Sequence, residues 1–154
     1  ASFIDVIMVS ATNTKYGLNV KPSNVFAMQL KTDSNGRYIN QYDYNNYFQT
    51  QGAGKTKTID KFIRPSHGGK GPILVAGDSD GDYNMLSDYK DLKLGLIINR
   101  VKGGPIGKLS KQAADTFGKG NAIYYLQGRN ENTGLFISTE KTILLGGKEE
   151  KLVK

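Results

Sequence analysis

An α/β fold with a mostly parallel sheet is predicted by three continuous apolar runs, Pro72 to Ala76, Leu94 to Ile98 and Ala122 to Leu126, that alternate with segments of helical character. Runs of this kind suit strands buried on both faces, because parallel crossovers lay helices over the sheet. Tyr83 to Tyr89 supplies a short helix between the first two runs, and Ile106 to Phe117 a longer one between the second and third. The chain has 154 residues, 38% apolar and 23% charged, which is the size and composition of one ordinary globular domain. No internal repeat or low-complexity linker divides it, so residues 1–154 read as a single unit.

The remaining elements follow in order. Phe3 to Val9 fits either a strand or a helix, since Phe3, Val6, Ile7 and Ser10 fall at helical spacing. Val25 to Leu30 is rich in strand formers, Asp33-Ser34-Asn35-Gly36 is a turn, and Arg37-Tyr38-Ile39 returns, which predicts a small β-hairpin near residues 25–39. Gly54 to Ile63 reads as an amphipathic helix with Ile59, Phe62 and Ile63 inward and Lys57, Asp60 and Lys61 outward, ended by Arg64-Pro65.

Composition removes several chemistries. With no cysteine there are no disulfides, zinc ribbons, thiol nucleophiles or iron–sulfur clusters, while the compartment stays open. His67 is the lone histidine and lacks a nucleophile elbow nearby, so it reads as a loop residue. The net charge of +7 comes from lysines dispersed from Lys15 to Lys154 without a basic block, so they read as a solvated surface and no nucleic-acid partner is expected. No apolar run approaches the roughly 20 residues of a membrane span. The chain opens on Ala1-Ser2-Phe3 without an initiator Met, as expected of a processed chain or a fragment whose targeting sequence would lie upstream.

Two segments carry chemistry. Gly77-Asp78-Ser79-Asp80-Gly81-Asp82 follows an apolar strand, where open parallel sheets gather their ligands, and its oxygen donors suit magnesium or calcium. The one-three-five spacing of Asp78, Asp80 and Asp82 imitates a calcium-binding EF-hand. That reading fails because the sixth position is Tyr83, the twelfth is Tyr89, and a strand precedes the loop. Gly52-Ala53-Gly54-Lys55-Thr56 imitates the end of a P-loop, but position 49 is Gln where Gly is required. What survives is Lys55 at a helix start, where amides and an ammonium favour a phosphoryl group.

Lys55 at a helix start, followed by Ile73-Leu74-Val75-Ala76-Gly77-Asp78-Ser79-Asp80-Gly81-Asp82-Tyr83-Asn84-Met85-Leu86 and Leu94-Gly95-Leu96-Ile97-Ile98-Asn99-Arg100, resembles the third and fourth motifs of the haloacid dehalogenase-like (HAD) phosphohydrolases. The likeness is to the bacterial branch that includes phosphoserine and phosphorylcholine phosphatases, and it extends to Gln127-Gly128-Arg129-Asn130-Glu131-Asn132. The resemblance implies a Rossmann-like sheet flanked by helices, a phosphorylated small-molecule substrate and Mg2+ as cofactor. It implies Lys55 as the stabiliser of charge on nucleophile and phosphate, Asp78 as the main metal ligand, and Asp82 as a second ligand or an orienting carboxylate. Asp80 receives no role.

The resemblance is to a C-terminal portion only. The first motif, an apolar strand ending in Asp-x-Asp that carries the nucleophile, is absent: Asp5 and Asp43 both lack the context. The second motif is either Ser10 in Ile7-Met8-Val9-Ser10, or Ala1-Ser2 as its tail with Phe3 to Thr12 as the following helix, and the spacing favours the latter. Without the nucleophile strand the sheet is expected to have an open edge, filled by an N-terminal segment of the same protein or by self-association. The expected function is therefore the Lys- and Asp-bearing part of a Mg-dependent phosphomonoesterase, inactive alone. The alternative is a non-catalytic module that keeps the aspartate loop as a metal-stabilised turn. Tyr42, Tyr44, Tyr47, Asn99, Arg100 and Arg129 are candidates for substrate contact that serve equally as surface or core.

Overall fold

The computed structural model of the protein describes residues 20–154. The helix-or-strand question at Phe3 to Val9, and the second-motif candidates Ser2 and Ser10, lie outside the described residues. Among the described residues the architecture is mixed α/β, with a parallel three-stranded sheet, three α-helices and a small antiparallel hairpin. Where the sequence shows no linker, internal packing divides the chain into two compact units, Ala1–Gly69 and Lys70–Lys154.

In the first unit, β1 (Leu30–Thr32) and β2 (Tyr38–Tyr42) pair antiparallel. The turn is held by Asp33, whose Oδ1 accepts the amides of Asn35 at 2.8 Å and Arg37 at 2.9 Å. The hairpin is thus present but shifted: its first strand begins at Leu30 instead of Val25, and its second runs on to Tyr42. The apolar residues before it serve irregular packing, with Ala27 buried and the Phe26 ring stacked 5.8 Å from that of Phe62. α1 (Ala53–Thr58) passes directly into a π-helical stretch, Ile59–Ile63, with Lys57, Asp60 and Lys61 exposed as its pattern predicts. Arg64-Pro65 does not end the helical path. The proline sits in the first turn of a 3-10 segment, Arg64–His67, where its missing N–H costs nothing.

In the second unit the sheet order is β3-β4-β5, formed by Leu74–Gly77, Leu94–Ile98 and Tyr124–Gln127, all parallel. α2 (Tyr83–Ser87) and α3 (Gly104–Thr116) make the two crossovers. One face of the sheet offers Val75, Ile97 and Tyr124 to Leu86 of α2 and to Ile106, Leu109 and Ala113 of α3, in a single core. The Tyr124 hydroxyl donates to the Leu86 carbonyl at 2.9 Å. The expectation of strands buried on both faces is corrected here. β3 alternates, with Val75 buried between exposed Leu74 and Ala76, because α2 and α3 cover the same face, and β3 pairs on one side only among the described residues. Four short strands, β6 (Arg129–Asn130), β7 (Leu135–Phe136), β8 (Thr142–Ile143) and β9 (Glu150–Lys151), form a second sheet of order β7-β6-β8-β9.

Leu86 is fully buried at the centre of the core. Leu86→Ala is expected to cost about 2–5 kcal/mol in urea unfolding, the range for a large core truncation.

Candidate functional site

β3 ends at Gly77, and the next five residues turn around one carboxylate. Asp82 Oδ2 accepts the amide of Asp78 at 2.9 Å, the amide of Ser79 at 3.1 Å and the Ser79 hydroxyl at 3.1 Å. The residue is only 5% exposed, and burial of a carboxylate is tolerable because these donors satisfy it. Gly77 makes room: a Cβ there would stand 2.4 Å from the Asp82 Cβ.

The other two aspartates face away from that centre. Asp80 Oδ1 accepts the amide of Ile106 at 2.8 Å, so a residue after β3 caps the start of α3, 26 positions downstream. Its negative charge also lies at the favourable end of the helix dipole. Asp78 Oδ2 pairs with Arg100 Nη1 at 2.8 Å, with side chains 39% and 32% exposed. Arg100 Nε lies 3.9 Å from Glu131 Oε1, too far for a hydrogen bond, because that oxygen accepts from Arg129 Nη2 at 2.9 Å. Glu131 Oε2 accepts the Leu145 amide at 3.2 Å. The Nε atoms of Arg100 and Arg129 are buried without an acceptor.

Arg100 owes its position to Asn99, which is fully buried. The Asn99 amide nitrogen donates to the carbonyls of Glu140 (2.8 Å) and Leu152, and its Oδ1 accepts the Val101 amide at 2.9 Å. Thr142 Oγ1 donates to the Asn99 carbonyl at 2.6 Å. Val101 has φ +52°, a strained conformation for a β-branched residue, and it turns the chain sharply after Arg100.

Lys55 belongs to the first unit, as the third residue of α1. The amides around it are committed: Gly54 N donates to Gln51 O and Lys55 N to Gly52 O, both at 3.0 Å. Those two amides are therefore not open to a phosphoryl group. Gly54 has a packing role, since a Cβ would stand 1.7 Å from the Gln49 carbonyl oxygen. The same unit holds a cavity of about 240 Å³ walled by Phe26, Tyr47, Phe48, Phe62 and Thr58, which places Tyr47 at a pocket that sequence reasoning could not locate. The Lys61 ammonium, anchored on the Asn46 carbonyl at 2.8 Å, sits 5.0 Å from the Phe62 ring and 5.6 Å from that of Phe48.

Among the described residues, no three side chains of metal-ligating type converge. Magnesium needs only one or two carboxylates when water completes its octahedron. Asp78, half-exposed at a strand end, fits that requirement. Asp82 Oδ2 does not fit direct ligation, since three donors of its own loop occupy it. No helix among the described residues is long and apolar enough to cross a membrane.

No family model and no curated protein matches the chain. It is similar to a conserved, functionally unknown protein from Anaerococcus prevotii DSM 20548 of known crystal structure, at 31% identity over 96% of this chain with a TM-score of 0.79. The chain spans 36% of that protein's length.

Asp80→Ala is expected to cost about 1 kcal/mol in urea unfolding through loss of the α3 cap, with Asp80→Asn retaining most of the stability. A second expectation concerns acid. Burial pushes the Glu131 carboxyl up, but the Leu145 amide and the Arg129 and Arg100 guanidinium groups outweigh it and hold the carboxyl below its ordinary range. A depressed folded value means that stabilisation is complete above the unfolded carboxylate pKa of about 4.3 and is lost as pH falls through the folded value. Glu131→Gln is therefore expected to be less stable than wild type near neutrality, with the gap closing in urea titrations toward pH 3.

Proposed function

We propose that this chain is the lysine- and aspartate-bearing part of a magnesium-dependent phosphomonoesterase of the HAD type, and that another segment supplies the nucleophilic aspartate. The observation that carries this reading is Asp78: a half-exposed carboxylate at the C-terminal end of a parallel strand, on a turn organised by a second, buried carboxylate. Asp78 would hold Mg2+, and Asp82 would fix the Asp78 backbone through its amide. Bound there, the cation supplies electrostatic neutralisation of a phosphoryl group. The resemblance assigns charge stabilisation of a phosphoryl group to Lys55, in the first unit. The open side of β3, with Ile73 and Leu74 exposed, is consistent with a further strand being added to the sheet. A span of 36% of the similar protein's length is likewise compatible with a catalytic unit larger than this chain.

The second reading, a non-catalytic module with a metal-stabilised turn, has less support. The turn's donors are satisfied by Asp82 without any ion.

The test is calorimetric titration of MgCl2, together with hydrolysis of a generic phosphomonoester. Wild type is expected to bind Mg2+, and Asp78→Asn to lose at least about tenfold in affinity, as befits loss of the one charged ligand. Hydrolysis is expected only after an apolar strand ending in Asp-x-Asp is added upstream. Mg2+ binding that survives Asp78→Asn would overturn the metal assignment, and turnover by the chain alone would overturn the missing-nucleophile reading.

A further inference from the structure

We propose that Arg100 is the oxyanion-binding residue of the aspartate loop: its guanidinium rests on Asp78 until a divalent cation takes that carboxylate, and then turns its fork to a phosphate group. The inference rests on Asp78 as the magnesium ligand and gives a defined role to Arg100, which the sequence offers only as one of six candidates for substrate contact.

Charge counting comes first. Arg100 and Arg129 face Asp78 and Glu131, two positive groups against two negative ones. The network is neutral and offers nothing to a phosphate dianion. With a divalent cation on Asp78 it carries two positive charges, and a phosphate dianion restores neutrality. Cation and phosphate should therefore bind together, each strengthening the other.

Hydrogen bonding names the group that responds. Arg100 has one committed donor, Nη1 on Asp78 at 2.8 Å, while its Nε is buried and has no acceptor. Glu131 does not satisfy Nε, because Arg129 holds the near carboxylate oxygen at 2.9 Å and leaves Arg100 at 3.9 Å. A buried donor without a partner is costly, and a guanidinium forced from its carboxylate beside a new cation frees Nη1 as well. A phosphate takes up the freed group, since Nη1 and Nη2 present two hydrogens in a fixed fork that matches two phosphoryl oxygens. The backbone need not move for this. Asn99 and the Val101 turn fix it on either side of Arg100, so the switch is confined to side-chain rotation.

The full chain, R100Q and R100K are titrated with MgCl2, and with inorganic phosphate in the absence and presence of Mg2+. Wild type is expected to bind phosphate about tenfold more tightly with Mg2+ than without. R100Q removes the internal cation, so it is expected to bind Mg2+ about tenfold more tightly while losing the Mg-dependent gain in phosphate affinity. R100K keeps the charge without the fork, so its Mg2+ affinity should match wild type while phosphate weakens about tenfold. Circular dichroism reports folding, and should R100Q not fold, R100K decides alone. Mg2+ binding that depends on Asp78 but is unaltered in R100Q, or phosphate affinity equal in R100K and wild type, would overturn the role of Arg100 and leave the metal reading standing. Absence of Asp78-dependent Mg2+ binding in both wild type and R100Q would instead overturn the metal reading, and the proposal with it.

Discussion

The buried carboxylate of Asp82 is the constraint around which the second unit is arranged. An ionised group taken out of water must find donors, and the nearest are the amides of the residues leaving β3. Meeting that demand curls the chain at Gly77, which has no side chain to obstruct it. The curl then fixes where the neighbouring aspartates lie. Asp80 is carried to the start of α3, and Asp78 is left at the rim facing Arg100. Three carboxylates of one short motif thus do three different jobs: one organises the turn, one begins a helix, and one remains accessible.

The same geometry explains why the site joins distant parts of the chain. Arg100 follows β4, Glu131 follows β6, and Leu145 lies in the loop after β8, yet they form one continuous set of contacts with the end of β3. The parallel sheet brings the ends of β3 and β4 side by side, since Gly77 is opposite Ile97. The small sheet then delivers the acidic partner, with β6 following β5 after Gly128.

Much of this was legible in the sequence, for reasons that differ by element. The apolar runs at Leu74, Leu94 and Tyr124 announce strands because sheet interiors demand them, and the glycine after the first run marks the turn. The two-residue strands β6 to β9 carry no periodicity at all, since a period cannot show in two positions. Hairpin bounds slipped because Val25 and Phe26 look like strand residues whether they pair or simply pack. At the site, Asp78 and Asp82 stood out by motif. The division of labour between them did not, because it depends on which carboxylate is buried. Arg100 was visible as one of six candidates for substrate contact, with nothing in the sequence to set it above the others. Its significance comes from a partner 22 positions earlier and from a neighbour, Asn99, whose polar side chain lies wholly inside.

That asparagine gives the site a history as well as a shape. Its two amide hydrogens are met by carbonyls 41 and 53 residues further along the chain. A growing polypeptide that has reached Lys141 already contains all three strands of the parallel sheet, but it lacks the second of those carbonyls. The strand end that presents Arg100 is therefore among the last parts of the unit to be secured, because contacts of long sequence separation close late. Synthesis order thus places the assembly of the charged rim after the formation of the apolar core beneath it.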